Sequence, residues 1–94
     1  MYRYKKLSDL QLKAAILVFL LKKGRWGGYY FPLDTLVNWF GKKVRNGKRI
    51  EKIIKDLVNE RYLTLYKRGP TVSLNPARSE EIVDFIKRVE IESE

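Results

Sequence analysis

The stretch LDTLVNWFGKKVRNGKRIEKIIKDLVN, residues 33–59, decides the fold. Its second half is the clearer one. Ile50, Ile53, Ile54 and Leu57 recur at i, i+3, i+4 and i+7, the spacing that lines one face of an α-helix. Asn46 precedes them as a good N-cap, because its side-chain oxygen can accept from a free backbone N–H of the first turn. This helix is expected to end near Asn59. In the first half, Leu33, Leu36, Val37 and Phe40 supply the buried side of a shorter helix, opened by Pro32 or Leu33. Asp34 in its first turn suits the positive end of the helix dipole. Gly41 is expected to stop it after about two turns. Lys42-Lys43-Val44-Arg45 then makes a basic connector.

Working outward, Ser8-Asp9-Leu10-Gln11 reads as a capping box, with Ser8 at the N-cap and Gln11 at the third helical position. Leu10, Ala14, Leu17, Val18 and Leu21 follow as a core stripe, and Leu12, Ile16, Phe19 and Leu20 form a second apolar face. A helix apolar on two faces must be covered on both. Gly24 ends it after Lys22-Lys23, two cations at the negative end of the dipole. Gly27-Gly28 is a turn, and Tyr29-Tyr30-Phe31 favours a short strand. On the other side, residues 62–66 and 71–74 alternate with period two around Lys67-Arg68-Gly69-Pro70, a β-hairpin with a basic tip. Asn75-Pro76 opens a last helix, with Ile82, Phe85, Ile86 and Val89 on one face.

Helix, short strand, helix, helix, two-stranded hairpin, helix: this order resembles the winged-helix family of helix-turn-helix proteins. The residues that carry the resemblance are Leu36 with Gly41, the stripe from Ile50 to Leu57, and the hairpin of residues 62–74. It spans residues 7–74, with residues 75–94 as an additional C-terminal helix. Residues 1–94 are thus expected to form a single winged helix-turn-helix domain. Its class is α+β, mainly α, with a small antiparallel sheet. Two departures stand out. The connector between Gly41 and Asn46 is longer than the usual helix-turn-helix turn, so it is either a different turn or an extra half-turn of helix. Glu60-Arg61 stands where the family often has Gly. The resemblance implies that the third helix enters the major groove and that the hairpin tip touches backbone or minor groove. Here that helix would present Lys48, Arg49, Lys52 and Lys55, and the tip Lys67 and Arg68.

The charge distribution points the same way without the family. Of 94 residues, 20 are Lys or Arg and 11 Asp or Glu, a net +9. Residues 1–74 hold 17 basic and 5 acidic residues, net +12, and residues 75–94 hold 3 and 6, net −3. A positive body of this kind fits a polyanionic partner. Residues 41–55 hold seven cations, Lys42, Lys43, Arg45, Lys48, Arg49, Lys52 and Lys55, against one acid, Glu51. Lys-rich helix faces are common as solvated surface, but such surfaces mix signs. With the apolar stripe inward, Lys48, Lys52 and Lys55 stack on the outer side. Such a like-charged row destabilises a free helix by tenths of a kcal/mol per pair, and an anion would relieve it. Arg49 is the candidate for reading guanine, since Arg pairs bidentately with its O6 and N7. The lysines suit phosphates.

Other chemistry is largely excluded. The chain has no Cys and no His, so disulfides, thiol chemistry and the commonest general base and metal ligand are absent. Gly41-Lys42 and Gly47-Lys48 lack the earlier Gly of a phosphate-binding loop. Glu80, Glu81 and Asp84 sit where carboxylates favour a helix start. A binding protein without cofactor or metal is expected, not an enzyme. The longest apolar run, residues 14–21, has 8 residues, against about 20 for a membrane span. We therefore expect a cytoplasmic protein. The arm Tyr2-Arg3-Tyr4-Lys5-Lys6 could follow a groove, although termini commonly lack order. Trp26, Tyr29, Tyr30 and Phe31 could stack on unpaired bases, but a short aromatic strand is more often core. The last helix and the second face of the first need cover. They could cover each other within the chain or across a two-fold axis. A homodimer is the expectation, with Phe19, Leu20, Phe85, Ile86 and Val89 as its seam. A sequence-specific duplex-DNA regulator is the leading reading. The alternatives are an adaptor for RNA or a protein partner, and a non-specific chromatin protein.

Overall fold

Ser8 sets the first boundary. Its Oγ accepts from the Gln11 backbone N–H at 3.2 Å, and Gln11 Oε1 accepts from the Ser8 N–H at 2.9 Å. The capping box thus opens α1 (Asp9–Lys22) as its sequence demands. At the far end Gly24 takes the left-handed conformation, φ +65°. The backbone N–H groups of Lys23 and Gly24 return to the carbonyls of Phe19 and Leu21. The computed structural model describes residues 7–92, with side chains as far as Val89. The arm at residues 2–6 lies outside the described residues. After α1 come β1 (Phe31–Pro32), α2 (Leu33–Val44), α3 (Gly47–Asn59), β2 (Leu63–Tyr66), β3 (Thr71–Leu74), one 3-10 turn at Pro76–Arg78, and α4 (Ser79–Glu92).

The three strands make one antiparallel sheet in the order β1-β3-β2, with Phe31 opposite Val72 and Leu63 opposite Leu74. The result is a mainly helical α+β domain of four helices and a three-stranded sheet, compatible with a winged-helix arrangement. β1 starts two residues later than the run Tyr29-Tyr30-Phe31 suggests. Phe31 carries the inward side chain, so it and not Tyr29 fixes the register.

α1 runs through the centre. Leu12, Ile16, Leu17 and Leu20 are fully buried, and both faces are covered within the chain, by α3 and the sheet and by α4. Its weak amphipathicity follows from that position. The residues expected at a dimer seam find partners within the chain. Leu20, Ile86 and Val89 are buried inside one chain, and Phe19 packs edge-on against Phe31 and Phe40. Phe85 lies half-buried against Tyr62. Self-cover removed the need that argued for a two-fold axis.

The helix-turn-helix differs from expectation in a revealing way. α2 does not stop at Gly41 but continues one turn to Val44, which is buried. The long connector is therefore mostly helix, and the true turn is Arg45-Asn46. Arg45 adopts φ 60°, ψ 35°, and its N–H and that of Asn46 both donate to the Gly41 carbonyl. Asn46 caps α3 by accepting from the Arg49 N–H at 3.1 Å. Gly41 serves a close approach. A Cβ placed there would lie 3.3 Å from the Gly47 Cα, tighter than ordinary contact. Gly41→Val should therefore destabilise the domain by about 2 kcal/mol through overpacking and lower the melting temperature by about 10 °C. A thermal scan by circular dichroism that shows no change would remove close packing as the reason for this glycine.

α3 ends at Asn59 as expected, whereas α4 starts later than expected. Arg61, at φ 68°, occupies a left-handed position at the exit of α3, which explains why a Gly would be welcome there. Asn75 caps a 3-10 turn first, accepting from the Ala77 N–H at 3.1 Å while its Nδ2 donates to the Arg61 carbonyl at 2.9 Å. α4 proper begins three residues later, at Ser79.

Candidate nucleic-acid interface

α3 is sharply two-sided. Ile50, Ile53, Ile54 and Leu57 are buried, and Lys48, Lys52 and Lys55 are exposed on the opposite side. The three lysines make no ion pair with any described residue. Glu51 is exposed on the same helix, three residues from Lys48 and four from Lys55, and it pairs with neither. Lys42, Lys43 and Arg45 are exposed at the end of α2 and in the turn. Lys43 Nζ sits 5.3 Å from the centre of the Trp39 ring, a cation–π contact on a half-open indole. These six exposed cations are carried by the end of α2, the turn and α3.

Arg49 is not part of that row. Its Nε and Nη2 donate to Asp9 Oδ1 at 3.0 and 2.8 Å, and Nη2 also donates to the Leu7 carbonyl at 2.8 Å. The guanidinium staples the start of α3 to the start of α1. At the other end of α3, Lys13 Nζ meets Glu60 Oε1 at 2.9 Å. Asp9 and Glu60 thus help to fix α3 against α1. Freeing the Arg49 guanidinium would require breaking these three hydrogen bonds.

The hairpin tip carries Lys67 and Arg68, both exposed, beside Gly69 at φ 64°. It does not adjoin the basic turn. The Leu33 N–H donates to the Pro70 carbonyl at 3.0 Å, which holds the tip at the N-terminal end of α2. Lys42 and Lys43 lie at the other end. A helix of 12 residues spans about 18 Å, so the cations form two clusters and not one unbroken wall. Among the described acids of α4, Glu81 pairs with Arg78 at 2.6 Å, and Glu80 and Asp84 are exposed.

The tyrosines were placed wrongly by burial tendency alone. Phe31 is core and Trp26 half-buried, but Tyr29 is 70 % exposed and Tyr30 lies open beside it. Tyr66 is likewise 51 % exposed. Its outward position was readable from its alternation with Leu63 and Leu65.

Among the described residues no group of His, Cys, Asp and Glu is arranged to hold a metal, and no helix is long and apolar enough to cross a membrane. No protein-family model, curated protein or solved structure matches the chain.

Proposed function

We propose that this is a winged-helix protein that binds duplex DNA sequence-specifically and acts as a small transcriptional regulator, with α3 in the major groove and the hairpin tip on flanking backbone. One observation carries the reading: the unpaired row Lys48, Lys52, Lys55 on the outer face of a helix whose other face is core. Three like charges in a row are retained at a cost to the free helix, and phosphates would neutralise them. The gap of about 18 Å between turn and tip corresponds to about five base-pair steps, so the two clusters would meet backbone on either side of one groove segment. With α1 and α4 covering each other, this reading does not depend on a dimer.

Selection from random duplexes, followed by footprinting, tests it. A short enriched motif with a footprint of one helix-turn-helix is the expected result. Binding without any enriched motif would instead make this a non-specific coating protein. Structured RNA outbinding the selected duplex at equal salt would favour the adaptor reading.

A further inference from the structure

The face of the sheet turned away from the core has its own chemistry. Leu63, Leu65, Val72 and Leu74 point inward, so strand alternation puts Thr64, Tyr66, Thr71 and Ser73 on the outer face. Tyr30, just before β1, crosses that face, and its ring lies 5.2 Å from the Tyr66 ring, centre to centre, tilted by 52°. Tyr29 stands open next to it. Tyr66 leads directly into Lys67 and Arg68. Residues 29–32 and 62–74 contain these two cations and no Asp or Glu. Ser73 occupies the central strand, flanked by β2, which ends on Tyr66, and by β1, which follows Tyr30. It is 1 % exposed, and its Oγ has no hydrogen-bond partner among the described residues.

Open aromatic rings on a sheet, beside cations and free of acids, are what an unpaired strand needs. Its bases stack on the rings and its phosphates meet the cations. A duplex cannot use the rings, because its bases are already stacked inside. We infer that the outer face of the sheet, through Tyr30 and Tyr66 with Lys67 and Arg68 beside them, binds the unpaired bases of a single nucleic-acid strand. This surface shares Lys67 and Arg68 with the duplex surface proposed above but does not include the lysine row of α3.

Fluorescence anisotropy with labelled oligo(dT), oligo(U) and a blunt-ended duplex, at matched salt, tests the inference. The double variant Tyr30→Ala/Tyr66→Ala should weaken single-strand binding by roughly tenfold to a hundredfold, the size expected for lost base stacking, and leave the duplex within about twofold. Tyr30→Phe/Tyr66→Phe keeps both rings and should bind single strands as the parent does. Preference for dT or for U supports the site and names its strand type. An alanine variant that binds single strands normally overturns the inference. So does one that loses single strand and duplex equally, or a phenylalanine variant as weak as the alanine one. Replacing Lys48, Lys52 and Lys55 removes duplex binding alone if the two surfaces are distinct, so the duplex reading and this one fail on different variants.

Discussion

The triple variant Lys48→Ala/Lys52→Ala/Lys55→Ala should lose roughly a hundredfold or more of its duplex affinity at about 0.1 M salt. The estimate rests on counterion release: each phosphate contact contributes close to 0.9 to the slope of log K against log salt. Three contacts fewer should flatten that slope by nearly three units, and the slope is the sharper readout. Folding should not suffer. The three side chains are exposed and unpaired, alanine is the best helix former, and two like-charge contacts along the helix vanish. The melting temperature should hold or rise slightly, so lost affinity cannot be blamed on unfolding. The net charge falls from +9 to +6, and a matched variant that loses three cations elsewhere controls for that. Affinity within about threefold of the parent, with an unchanged slope, would place the duplex surface somewhere other than α3. Arg49 is left out of this variant on purpose. It ties α3 to α1 through Asp9 and Leu7, so removing it would mix stability with binding.

Local pattern reached far into this fold, and the places where it stopped share a cause. The capping box at Ser8, the stripe of α3 and the alternation of β2 and β3 depend on neighbours in sequence, and all three were legible. Gly41 was misread because its local meaning, a helix stop, was overridden by a helix crossing. The atom that demands the glycine belongs to Gly47, across the turn. The ion pair of Arg49 was not legible because its partner lies 40 positions away. A side chain outside the apolar stripe could equally face solvent or a neighbouring helix end, and periodicity does not distinguish them. Tyr29 and Tyr30 were assigned to the core by composition, whereas register decided the matter. Phe31 took the inward position opposite Val72, which left Tyr30 to the outer face. The basic face of α3 was legible because one helix carries it. The separation of the hairpin tip from it was not, since that distance depends on the Leu33–Pro70 hydrogen bond at the start of α2.

Leu20→Ala is the second large expected effect, and it decides between self-cover and a two-fold seam. Leu20 is fully buried near the end of α1, the helix on which α4 packs. Truncating such a leucine loses its transfer free energy and leaves a cavity, about 2–5 kcal/mol together. For a domain of 94 residues that is a large share of a total stability of roughly 5–15 kcal/mol. The melting temperature should drop by about 15 °C or more. Size alone does not separate the two arrangements, because a residue buried between two chains would cost as much. Concentration separates them. With α1 and α4 closed within one chain, parent and variant should each melt at the same temperature across about a hundredfold range of protein concentration. Folding that required a partner would gain about 2.7 kcal/mol over that range by mass action, a shift of many degrees. A concentration-dependent midpoint would therefore return Phe19, Leu20, Phe85, Ile86 and Val89 to an intermolecular seam. A constant midpoint together with the large drop fixes them as the core of a single chain, on which the orientation of α3 and its lysines depends.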